Sequence, residues 1–150
     1  MRSGWVGATP FLVLLFLGLF LSRNANAGLS AGVNGHAWLG GRGLFALALR
    51  ADTPLAGAAS VGGRFGALVA TEPFEPGVPL DLTLTIWFGR VYLDGLFGPW
   101  LFFEGPSTVR LHGAVGSGIR LGGRSGVRLG VEVGWLDPRA TLGVSLATSL

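Results

Sequence analysis

Few side chains in this chain are able to do chemistry. His36 and His112 are the two histidines, and with Glu132 they are the residues a metal would recruit. Metal sites gather such ligands at short, characteristic spacings; these three show none, so no metal and no other cofactor is expected. The histidines and several serines also invite a hydrolase reading, which requires a hydroxyl within hydrogen-bond reach of an imidazole. The stretch "GSGIRLGG" (116–123) imitates a phosphate-binding loop, but such a loop opens a helix, and no helix follows it. The remaining charge is mostly arginine: Arg50, Arg64, Arg110, Arg120 and Arg128, with Asp81 and Glu132 as the acids to answer them. What these residues do depends on the elements that carry them.

Composition narrows those elements. The chain has 150 residues, the length of one domain. Hydrophobic residues make up 49% and charged residues 13%, about half the charged share of ordinary soluble domains. There are 27 glycines, no cysteine, and eleven basic residues, all of them arginine. Without cysteine there is no disulfide framework and no thiolate metal site. A net charge of +3, scattered along the chain, leaves no footprint for nucleic acid. At the N-terminus, Met1-Arg2 precedes the apolar run "PFLVLLFLGLFL" (10–21), and "SRNANA" follows. The run is shorter than the ~20 residues a helical span needs. With Ala25-Asn26-Ala27 after it, the pattern predicts a signal peptide over 1–27, cleaved after Ala27. The remaining 28–150 is read as one exported domain.

Beyond Gly28 the apolar spacing is two, which is the period of a strand. Strands are expected at 29–39, 44–51, 58–69, 80–88, 108–121, 127–135 and 140–150. At least one more is expected within 89–103, where the alternation gives no register. Turn chemistry separates them at 40–43, 51–57, 72–79, 104–107, 122–125 and 136–139, and "GGR" at 62–64 offers a further tight turn. Facing residues of an antiparallel pair share a side of the sheet. Val109, Leu111, Val115, Ile119 and Leu121 are odd-numbered, as are Val127, Leu129, Val131, Val133 and Trp135. An odd-length loop therefore joins those two strands, with Leu121 opposite Val127 and Arg120 opposite Arg128. The last strand is apolar at even positions, so the loop before it has even length, as "LDPR" does.

One face of these strands carries Leu, Val, Ile, Phe and Trp. The other carries Gly, Ala, Ser and Thr with Asn34, His36, Arg50, Arg64, Asp81, Arg110, His112, Arg120, Arg128 and Glu132. A water-facing sheet normally bears far more charge than this second face does. A transmembrane barrel reverses the orientation, with the apolar face to lipid and small and polar residues within. Closure also satisfies every backbone group without helices. Eight strands of ~9–11 residues fit in the mature length. Trp38, Trp87, Trp100 and Trp135 fall near strand ends and are assigned to an interfacial girdle, with Phe45 and Phe88 as further candidates. Opposed arginines destabilise a pair unless screened. Glu132, about 13 Å along the strand from Arg128, is too distant to answer it, so Asp81 is expected to do so from another strand. The polar residues are read as a plug of ion pairs in a narrow lumen, with an anion-attracting pore as the alternative.

Together these features resemble the small bacterial outer-membrane β-barrels of eight strands. The resemblance implies an all-β, up-and-down antiparallel barrel in the outer membrane, in contact with its lipid. It also implies that the assembly machinery reads the closing strand as an insertion signal, here Leu142, Val144, Leu146 and Leu150. The family usually ends on an aromatic, whereas this chain ends on Leu150. Some barrels of this kind deacylate lipid through a His-x-Ser-Asn-type motif; around His112 the chain reads "LHGAVGS", with no Ser at the matching place. The expected role is therefore structural, or binding, and not enzymatic. A secreted or periplasmic soluble β-protein that self-associates through its apolar face is the alternative; a soluble sandwich or barrel would instead turn that face inward.

Overall fold

A computed structural model describes residues 28–123 and 126–150. The expected signal peptide, 1–27, lies outside the described residues. The described chain forms eight strands: β1 (Gly28–Trp38), β2 (Arg42–Ala56), β3 (Ala59–Ala70), β4 (Glu75–Phe88), β5 (Val91–Phe102), β6 (Val109–Leu121), β7 (Val127–Leu136) and β8 (Arg139–Ser149). Each pairs antiparallel with its neighbour in sequence, and β8 returns to pair with β1, closing an up-and-down barrel. Closure leaves no sheet edge to template association.

The alternation sets which side chains enter the barrel. On β1, β2, β3, β5, β6 and β7 even-numbered residues point inward, and on β4 and β8 odd-numbered ones do. Outside stand Val33, Phe45, Leu47, Leu84, Phe88, Phe97, Val115, Val131, Val133, Leu142, Val144 and Leu146, all exposed. A soluble fold with its apolar face inward is overturned by this orientation. Small inward residues make room for large ones. A Cβ at Gly143 would collide with the His36 ring, and one at Gly118 would run into Tyr92, so glycine at both positions admits a bulky neighbour.

The β6–β7 register pairs Leu121 with Val127 and Arg120 with Arg128, as the parity of the apolar residues required. The β7–β8 turn is tighter than the four residues expected, because Leu136 already pairs with Arg139. Larger departures fall on β2 to β5. The segment 51–57 is not a turn: β2 continues to Ala56, with an irregularity between Pro54 and Ala56. Glycines 62 and 63 run through the middle of β3 opposite Asp52 and Ala51. A Cβ at Gly62 would strike the Ala51 carbonyl oxygen, so "GGR" marks close strand approach there and not reversal. β4 begins at Glu75, and 89–103 contains the single strand β5. Pro76, Pro79 and Pro99 lie within those two strands, where proline's missing donor argues against strand on sequence alone.

Candidate functional site

The inward side chains stack in layers along the barrel. At the end away from Gly28 and Leu150, Trp38, Leu44, Leu68, Trp100, Phe102 and Leu136 form an apolar cluster. Arg110 packs its guanidinium over the Trp38 and Phe102 rings, 4.9 and 4.5 Å from their centroids. Glu75 Oε2 lies 3.3 Å from both Arg110 and Arg42. Trp38 and Trp100 were assigned to an interfacial girdle, and this is corrected: both are buried inside, because each shares the inward parity of its strand.

The next layer is polar and fully enclosed. Arg64 donates from Nε and Nη2 to Asp81 Oδ2 at 3.0 and 2.9 Å, and from Nη1 to Glu132 Oε1 at 2.9 Å. Asp81 also accepts from the indole of Trp100 at 3.1 Å and from His112 Nδ1 at 2.7 Å. Its side chain is 0% exposed, as is that of His112. An unshielded carboxylate there would be prohibitively costly, and four donors on three residues offset its desolvation. Glu132 answers Arg64 and stands 3.9 Å from His36 Nε2. Asp81 was expected to screen the Arg120–Arg128 pair; it serves Arg64 and His112 instead.

Nearer the termini, Arg50 gathers a second group of acids. Its Nε donates to both oxygens of Asp52 at 2.8 Å, and its Nη1 to Asp94 Oδ2 at 2.8 Å. Thr85 bonds to Arg50 and Asp94, and Thr83 donates to Asp52 at 3.2 Å. Arg128 donates to Ser30 and has one carboxylate within reach, Asp52 at 3.8 Å. Arg120 stacks over the Trp87 ring at 4.7 Å. Trp87 therefore lines the barrel mouth, a further correction of the girdle assignment; among the four assigned tryptophans, Trp135 is the one that faces outward. Glu75, Asp52 and Asp94 were missed. The first two lay in segments read as turns, and the third in the segment without a readable register.

The Asp81–His112 pair orients an imidazole, but His112 Nε2 and His36 Nε2 are buried and have no hydrogen-bond partner. Among the described residues no group of three or more His, Cys, Asp and Glu is placed to hold a metal. The void at the level of Asn34, Arg50, Arg64, Arg128 and Glu132 measures about 40 Å³, room for one or two waters.

Apolar outside, ion-paired inside and closed on itself, the molecule has the fold of an outer-membrane β-barrel. No family model and no curated protein matches the sequence. Solved structures match the fold. A designed transmembrane β-barrel superposes with a TM-score of 0.61 at 11% identity, over 85% of this chain and 98% of the design. The outer membrane enzyme PagL superposes with a TM-score of 0.57, also at 11% identity, over 81% of this chain and 98% of PagL. At such identities the likeness is one of fold.

Proposed function

We propose that the protein is an integral outer-membrane barrel whose lumen is plugged, with a structural or binding role and no catalytic one. The observation that carries this is the pair of interior ion-pair groups centred on Arg64 and Arg50. Between them they draw in Asp81, Glu132, Asp52 and Asp94, and the void beside them is only about 40 Å³. Eight strands enclose a lumen that side chains just fill, and the ion-paired layers around Arg64 and Arg50 support a plugged interior. In this reading 1–27 is a cleaved export signal, lipid surrounds the outward face, and β8 with Leu142, Val144 and Leu146 engages the assembly machinery during insertion. An enzyme reading is disfavoured because the acid-oriented His112 lies at 0% exposure and its free nitrogen meets no hydroxyl.

Fractionation and planar-bilayer recording test the proposal together. The protein should sediment with the outer membrane and migrate differently on a gel before and after boiling. Reconstituted protein should give no steady conductance above the bare bilayer. Recovery in the soluble periplasm, or discrete open-channel steps, would reject it. Release of fatty acid from lipid by purified protein would restore the enzyme reading.

A further inference from the structure

The barrel mouth at the end bearing Gly28 and Leu150 holds more arginine than the plug requires. Arg120 and Arg128 are cross-strand partners on the inner face, close enough for their guanidiniums to reach one point in space. Neither has a carboxylate of its own. Among the described residues Arg120 makes no ion pair and has the Trp87 ring as its support. Arg128 reaches Asp52 only at 3.8 Å, and that carboxylate is already held by Arg50 and Thr83. Three guanidiniums (Arg50, Arg120 and Arg128) thus face the two carboxylates of Asp52 and Asp94. Arg90, exposed on the adjoining turn, adds positive charge. Between these groups lies a cavity of about 350 Å³, lined by Ser30, Asp52, Ser60, Trp87, Arg120, Arg128 and Ser149 among others. Opposed like charges cost stability unless an anion screens them, and here the cavity between them is lined by serine hydroxyls and open to water.

We propose that this mouth binds a phosphate-type oxyanion, gripped between Arg120 and Arg128 with serine hydroxyls completing its shell. Arginine's planar fork suits two oxygens of one phosphate, and Trp87 holds the Arg120 fork in place from behind. Below the mouth, Arg50 and Asp94 close the lumen, so the anion is held and not conducted. The opposite mouth is less suited, since Glu75 already lies between Arg42 and Arg110. The assignment rests on side chains at one rim and holds whatever role the barrel has in its membrane.

The test is calorimetric titration of inorganic phosphate into the folded protein in octyl glucoside, at fixed ionic strength set with sodium chloride. Saturable binding is expected. Arg120→Gln and Arg128→Gln should each weaken it about tenfold, the size of one lost charge-assisted hydrogen bond, while leaving thermal stability unchanged or improved. Arg139→Gln, at the opposite end, should leave binding unchanged. Repeating the titration in nanodiscs separates the sources of phosphate. Equal affinity in phosphatidylcholine and phosphatidylglycerol discs identifies a free anion. Suppression in phosphatidylglycerol discs identifies a lipid headgroup already seated there. Absence of saturable binding in octyl glucoside would overturn the site, as would equal binding by wild type and both Gln variants, or loss with Arg139→Gln alone.

Discussion

Arg64 answers two carboxylates at once in the enclosed layer of the lumen, so its loss leaves two buried charges without their cation. Truncation to Met keeps much of the side-chain volume but leaves Asp81 and Glu132 buried without their cation. Breaking a buried pair from one side costs about 3–5 kcal/mol, because the uncompensated charge remains. Arg64→Met should therefore destabilise the barrel by about that amount in urea unfolding from lipid vesicles. Adding Asp81→Asn should recover part of the loss, because one stranded charge goes with it. If Arg64→Met unfolds at the same urea concentration as wild type, the network contributes nothing and the plug needs another explanation. The residues of this network were visible in the sequence as polar exceptions on a small-residue face, but their partners were not. Which acid meets which arginine depends on distances across the lumen, between strands far apart in the chain.

At the scale of elements, the β6–β8 hairpins were legible because their alternation is clear: Leu129, Val131, Val133 and Trp135 fix the parity of pairing against β6. β4 and β5 were not. Pro79 and Pro99 sit inside them, and Leu96, Trp100 and Phe102 place large apolar groups on the inner face, so side-chain type no longer reports direction. Trp38 and Trp100 were misassigned for the same reason, type having been weighed above parity. The closing strand gives the clearest element-level prediction. Val144 faces outward and Ser145 inward, beside Tyr92 and Arg128 at the interior void. An arginine on the lipid face near the midplane costs about 2–4 kcal/mol. Val144→Arg should impair folding into vesicles by that much, whereas Ser145→Arg should be milder, limited by space and by the arginines already inside. Equal penalties, or a reversed order, would mean that β8 presents its other face to the bilayer.

Over the whole molecule, charge within the strands gathers on the inner side of the wall, while apolar residues cover the outer side and fill one end of the lumen. Nearly every ionisable group within the strands turns inward, and the outer wall from Val33 round to Leu146 is hydrocarbon. That inversion relative to a soluble barrel followed from composition: few charges, abundant glycine, and an apolar face too continuous to meet water. The export signal proposed over 1–27 goes with that reading. Mass spectrometry of protein recovered from the envelope should show an N-terminus at or near Gly28, and retention of Met1–Ala27 would instead mean an anchored chain with a different topology.

The central claim is that the apolar face of every strand meets lipid while its neighbours meet the lumen. The chain has no cysteine, so single cysteines placed from Leu142 to Ala147 report without background. Each would carry a fluorophore, and quenching would be measured with a nitroxide dissolved in the bilayer and with iodide in the water. The account predicts an alternation of two: strong lipid quenching at 142, 144 and 146, and weak lipid quenching at 143, 145 and 147. Strong iodide quenching at 143, 145 and 147, with no lipid contact at 142, 144 or 146, would contradict it and return the protein to water.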